Sequence, residues 1–273
     1  MHDKPQYPPV TLAGTEVCPL TSKAVGGMEY KVFVTLPKGY ESSSETYPAL
    51  YFLDAWNRFG MITETYRLLR WFNDIEPMVI VGISFDADDA KCLYYRSRDY
   101  FPTYVSPEKL AEQFGQGLAD LIPTSGGASD FLRFFQDELF PFVEREYRVD
   151  PSDRGIFGHS AGGNFAAWVL FNTPGVFQRY LIGSPFLPWD DGLAYKQEAA
   201  YAESHSALPA RVFLSVGGKE GEGSIERLKR LKDAMESRDY EGLDLAYTVF
   251  EGETHMSGLP VTYSTALLKL YGR

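Results

Sequence analysis

Apolar and polar positions alternate early in this chain and cluster later. Val10–Leu20 and Tyr30–Leu36 alternate and are rich in β-branched residues, which predicts an antiparallel pair. Leu36-Pro37-Lys38-Gly39-Tyr40 then turns the chain. Ala49–Leu53 and Met78–Ile83 are unbroken apolar runs, the mark of strands buried on both faces, and Met61–Phe72 between them suits a crossover helix. Phe131–Tyr147 has helical periodicity, with Pro141 expected to kink it or end one helix there. Gly155–Phe157, Tyr180–Ile182, Arg211–Val216 and Leu245–Phe250 read as further strands. Gly162–Phe171, Ile225–Arg238 and Thr262–Tyr271 read as the helices between and after them. Strands alternating with helices predict an α/β protein: a mostly parallel sheet, helices on both faces, and antiparallel N-terminal strands at one edge. The polar stretches Glu41–Thr46, Thr124–Ser129 and Gly217–Ser224 are loops too short to link domains, so residues 1–273 are expected to form one domain.

One motif in this frame carries chemistry. Gly158-His159-Ser160-Ala161-Gly162-Gly163 contains G-x-S-x-G directly after a strand and at the start of a helix, the context of a nucleophile elbow. Small residues must flank Ser160 in so tight a turn, and the helix N-terminus aims N–H groups at developing negative charge. A serine nucleophile needs a base, which in this chain order follows an acid. Two histidines follow Ser160. His205 sits in a polar stretch before a strand and reads as a surface residue. His255 follows the last strand, at the rim where Ser160 is expected, and is the candidate base. His159 adjoins Ser160 but cannot turn back to deprotonate it, and His2 lies in the N-terminal tail. The acid should follow Arg211–Val216. Glu220 is preferred as nearer the strand end, with Glu222 the alternative. Ala161, next to the nucleophile, should supply one oxyanion-hole N–H, and the loop Leu53–Asn57 the other.

Composition narrows the partners. Across 273 residues, 26 basic against 37 acidic side chains give a net charge of −11, which argues against nucleic acid and anionic membrane surfaces. Two distant cysteines, Cys18 and Cys92, make neither a zinc ribbon nor a disulfide scaffold, although a single long-range disulfide stays open. Four scattered histidines offer no metal spacing, and the chemistry above calls for no cofactor. No apolar run reaches the ~18 residues of a membrane helix, and Met1–Val10 lacks the apolar core of a secretory signal, so a cytoplasmic location is expected.

Further segments carry a resemblance. They are Leu36–Tyr40 before Tyr47-Pro48, Tyr51-Phe52-Leu53-Asp54, Arg96-Ser97-Arg98-Asp99-Tyr100-Phe101-Pro102-Thr103, Gly126-Gly127-Ala128, the elbow, Ser184-Pro185-Phe186-Leu187-Pro188-Trp189 and Gly252-Glu253-Thr254-His255. With them nearly the whole chain resembles the putative-esterase family of α/β-hydrolases. That family includes S-formylglutathione hydrolase, siderophore trilactone esterases, feruloyl and acetyl-xylan esterases, and mycolyltransferases. The R-x-R-D-x-x-P and S-P-x-x-x-W segments are most similar to those of siderophore-esterase-like members. The resemblance implies the α/β-hydrolase fold, a Ser160–Glu220–His255 triad, and an oxyanion donor two residues after the Leu-Asp strand end, at Trp56. Ala55 stands where the family has Gly.

Cys92–Val105 is expected to form a substrate rim including Tyr94, Tyr95, Tyr100 and Phe101, with Phe186, Trp189 and Trp56 as aromatic walls. Arg96 and Arg98 are candidates for an acidic or catecholate substrate, with a plain salt bridge such as one to Asp99 the expectation for at least one of them. Three readings stay open: a carboxylic ester hydrolase acting on small-molecule esters, an acyltransferase with the same triad, and a binding protein on the same fold. A homodimer is compatible with all three.

Overall fold

Eight strands form one sheet in the order β1-β2-β4-β3-β5-β6-β7-β8. The computed structural model describes residues 10–273; His2 and the expectation for the first nine residues lie outside them. The strands are β1 (Thr15–Ser22), β2 (Met28–Thr35), β3 (Tyr47–Phe52), β4 (Val79–Phe85), β5 (Val149–His159), β6 (Arg179–Gly183), β7 (Ala207–Gly217) and β8 (Glu241–Phe250). β1 and β2 run antiparallel, β2 also runs antiparallel to β4, and every other pairing is parallel. The parallel strands β3, β4 and β6 are almost wholly buried, as their continuous apolar runs require, and so is the C-terminal half of β5, Gly155–His159.

The helices are α1 (Ala55–Trp71), α2 (Asp89–Tyr100), α3 (Pro107–Phe114), α4 (Gln116–Leu121), α5 (Ala128–Phe134), α6 (Phe140–Glu146), α7 (Ala161–Asn172), α8 (Trp189–Ser204), α9 (Glu222–Ser237) and α10 (Leu259–Tyr271). Side-chain alternation in the strands feeds two cores. Leu50 and Phe52 face α1 and α10, whereas Tyr51 faces the larger core that holds Phe131, Phe135 and Phe165. Helices therefore cover both faces, as expected.

Several boundaries differ from the expectations. α1 begins at Ala55, not Met61, because Asp54 turns the chain straight out of β3 with φ 59°. The run holding Pro141 is broken as expected, but by a π turn at Phe135–Leu139 between α5 and α6, which leaves Pro141 in the first turn of α6, where its missing N–H is tolerated. Cys92–Val105 is chiefly the helix α2, and α3 and α4 follow it as a cover over the sheet's C-terminal rim. Cys18 and Cys92 are both free thiols. No helix among the described residues is long and apolar enough to cross a membrane.

Candidate active site

Three adjacent strands leave the sheet through non-glycine residues in the left-handed region: Asp54 after β3 (φ 59°), Ser160 after β5 (φ 60°) and Ser184 after β6 (φ 39°). Such backbone is costly for a residue with a Cβ, and its concentration at one rim marks a site. Ser160 has ψ −122° and opens α7, which throws its side chain out at the bend. Gly158 and Gly163 around it have no room for a side chain. A Cβ on Gly158 would lie 2.0 Å from the Gly162 carbonyl oxygen, and one on Gly163 would lie 2.7 Å from that of Gly183.

Ser160 and Ala161 line a cavity of about 480 Å³. Trp56, Asn57 and Arg58 enter it from the first turn of α1. No side chain caps α1 or α7, so the first-turn N–H groups of both helices stay available beside the cavity. Glu220 and His255 arrive from the ends of β7 and β8. His255 Nδ1 lies 2.7 Å from Glu220 Oε2. The other carboxylate oxygen, Oε1, accepts from Ser184 Oγ at 2.6 Å and from the Gly217 N–H at 2.8 Å. Burial pushes the Glu220 carboxyl up, but the bonds from His255, Ser184 and Gly217 outweigh it and hold the group below its usual range. Glu222, the alternative acid, instead sits exposed on the first turn of α9.

His159 packs its ring 4.5 Å from that of His255. It is 3% exposed, and burial, aided by His255, Arg58 and Arg96, drives its basicity far down, so it stays neutral. His205 lies at the end of α8, stacked on Tyr201 and remote from these groups.

A cationic cluster flanks the serine. The buried Asp54 carboxylate takes Arg96 Nε at 2.7 Å on one oxygen and Arg58 Nη1 at 3.3 Å on the other. Two guanidiniums sharing one carboxylate leave one positive charge uncompensated at the cavity wall. Arg96 Nη2 also reaches the His159 carbonyl at 3.3 Å, tying α2 to the elbow. Arg98, by contrast, turns away to Asp99 at 2.6 Å, the plain salt bridge expected for one of the pair. Much of the remaining cavity wall is apolar, with Leu93, Leu118, Leu121, Ile122, Leu228 and Met256, and Ser184 and Ser224 also border it.

Of the aromatics expected at the substrate rim or walls, Trp56, Phe101 and Phe186 line the cavity, whereas Tyr94, Tyr95, Tyr100 and Trp189 do not. Tyr100 is fully buried, and its hydroxyl accepts from the Asp54 N–H at 3.3 Å, so it braces the turn into α1 from below. Trp189 is 3% exposed, stacked on Phe101 with ring centres 4.0 Å apart and donating to Thr103 Oγ1 at 3.0 Å. It borders a separate small void, not the space above Ser160. The reason is common to Tyr100 and Trp189: a large aromatic next to a deep cavity gains more by burial than by exposure. Sequence reasoning also missed two residues. Arg58 carried a signal, the i,i+4 spacing from Asp54. Ser184 carried none beyond its place before Pro185.

The Putative esterase family matches residues 22–258. The chain is 32% identical over 267 residues to the Ferri-bacillibactin esterase BesA of Bacillus subtilis (strain 168), covering 94% of this chain and 89% of that one. It is 31% identical over 232 residues to a Siderophore enterobactin esterase of Emericella nidulans, covering 77% and 73%. Among solved structures, the BES protein from Bacillus cereus superposes with a TM-score of 0.84 at 25% identity over the whole of both chains. EstA, a siderophore hydrolase from Aspergillus nidulans, shares the fold with a TM-score of 0.78 at 23% identity, over 98% of each chain. The sheet order, the strand-to-helix bend at Ser160 and the span of the family match together place this chain in the Putative esterase family, on the α/β-hydrolase fold.

Proposed function

We propose that this esterase works through a serine acyl-enzyme. Ser160 Oγ attacks the ester carbonyl while His255 takes its proton, and the N–H groups of Ala161 and Trp56 receive the charge that develops on the carbonyl oxygen. Collapse of the tetrahedral intermediate expels the alcohol, protonated by His255. Water, deprotonated by the same imidazole, then releases the acid. Glu220 holds the Nδ1 proton, fixing the tautomer that leaves the second ring nitrogen free as base. The observation carrying this reading is the 2.7 Å contact between His255 Nδ1 and Glu220 Oε2 at the wall of the cavity that Ser160 lines.

The test is covalent. A fluorophosphonate should label the wild-type protein at Ser160, and Ser160→Ala should lose both label and p-nitrophenyl ester turnover, by about 10⁴-fold or more, while keeping its thermal transition. Undiminished turnover in that variant would sink the assignment. Product analysis with an added alcohol acceptor separates hydrolysis from acyl transfer.

A narrower substrate reading has its own support. The uncompensated charge at Arg58, Asp54 and Arg96 faces a roomy, largely apolar cavity, which suits a bulky ester bearing acidic groups. Two of the relatives are named as esterases of siderophores. A catecholate trilactone should therefore be turned over with a higher kcat/KM than p-nitrophenyl butyrate. The reverse order would remove this narrower reading and leave the serine mechanism standing.

A further inference from the structure

Ser184 is a strained rim residue with no part in the mechanism or the substrate reading above. It ends β6 with φ 39°, in a region where glycine would sit without strain. Its N–H donates to the Ser215 carbonyl at 2.7 Å, so the turn is pinned to the neighbouring strand. Pro185 follows, which further restricts its backbone. What the serine has and a glycine lacks is its hydroxyl, and that hydroxyl donates to Glu220 Oε1 at 2.6 Å.

The carboxylate of Glu220 is thereby divided. Oε2 faces His255 Nδ1, and Oε1 is held from two directions, by the local Gly217 N–H and by Ser184 from the adjacent strand end. The Gly217 bond spans three residues and moves with the turn that carries Glu220. Ser184 is anchored outside that turn, so it fixes the carboxylate against the body of the sheet. From this we infer that Ser184 is a positioning residue: its hydroxyl locks the rotation of the Glu220 carboxylate so that Oε2 stays in line with His255 Nδ1.

The inference depends on Glu220 acting on His255 as described under the proposed function, and the experiment separates the two. Ser184→Ala keeps the strained backbone and removes the hydroxyl; Ser184→Gly removes the hydroxyl and relieves the strain. Both should lose about tenfold in kcat on a p-nitrophenyl ester, the loss expected for one hydrogen bond to a charged group, with KM held within about twofold. The downfield Nδ1 proton resonance of His255 should broaden or move upfield in both variants. In the Glu220→Gln background, Ser184→Ala should cost less than about twofold more, since the two act as a unit.

Wild-type kcat in Ser184→Ala beside an impaired Glu220→Gln would overturn the positioning role and spare Glu220. A raised KM with unchanged kcat would overturn it too, because Ser184 also borders the cavity and would then be a substrate contact. Retained activity in Ser184→Gly alone would overturn it by tracing the loss in Ser184→Ala to the backbone. A Glu220→Gln variant with wild-type kcat would overturn both the acid and the inference built on it.

Discussion

The two rims of the sheet carry mirror-image charge clusters. At the C-terminal rim one carboxylate, Asp54, stands between two guanidiniums, Arg58 and Arg96. At the opposite rim one guanidinium, Arg179, stands between two carboxylates, Asp153 and Glu76. The lower cluster also borders a pocket and carries one surplus charge, but every nitrogen of its Arg179 guanidinium has a partner. Arg179 meets Asp153 with two nitrogens, pairs with Glu76, donates to the Leu270 carbonyl at 2.7 Å and lies on the Tyr271 ring. The upper cluster is incomplete: Arg58 Nε is buried without a partner, and the cluster borders a cavity and a strained serine. A satisfied cluster locks elements together, whereas an unsatisfied one beside strained backbone is held in readiness for something else.

That contrast breaks most sharply through activity. Glu220→Gln should cost about 10³-fold in kcat, by favouring the wrong His255 tautomer, with the thermal midpoint within about 3 °C of wild type. A loss of folding in step with activity would make the upper rim structural after all. Arg179→Met should do the opposite. It strands two partly buried carboxylates and should cost about 3 kcal/mol in urea unfolding, with kcat unchanged in the folded protein. An unchanged midpoint would show the lower cluster to be ornamental.

A third prediction concerns proton uptake by His159. Its folded form resists protonation, so below about pH 6.5 only the unfolded chain takes up the proton. Stability therefore falls with decreasing pH there, by up to about 1.4 kcal/mol per pH unit, and is untouched above it. Relative to its own value at pH 7.5, His159→Gln should lose less stability at pH 5.5 than wild type does. Parallel pH profiles would place the acid sensitivity elsewhere. Smallest is Arg58→Met, which leaves Asp54 its shorter bond to Arg96 and should cost about 1 kcal/mol. A penalty equal to that of Arg179→Met would erase the difference between the rims.

Much of this was legible in the sequence where the signal is local. Unbroken apolar runs such as Met78–Ile83 announce strands buried on both faces, and G-x-S-x-G between strand and helix announces the bend at Ser160. Strand order and loop position singled out His255 from four histidines, and nearness to the strand end favoured Glu220 over Glu222. Facing was not legible. Tyr100 and Trp189 fell in the right segments, but whether an aromatic turns toward a cavity or under it is settled by neighbours far away in sequence, here Asp54 and Phe101. Ser184 escaped because its meaning depends on a backbone angle and a partner 36 positions downstream. Pro141 marked the break in its helical run, but not the π turn that makes it.

The cover formed by α2, α3 and α4 has a consequence for how this scaffold diversifies. Ser160, Glu220 and His255 hang from the ends of β5, β7 and β8, while Leu93, Arg96, Leu118, Leu121 and Ile122 all come from the single excursion between β4 and α5. The groups proposed to break the ester bond and much of the cavity wall are thus encoded in separate stretches of polypeptide. Insertions, deletions or exchanges within residues 86–127 that keep Arg96 and Tyr100, the two side chains tying α2 to the Asp54 turn and the elbow, can recut the wall while the strand ends at Ser160, Glu220 and His255 stay where they are, so that new ester preferences can arise.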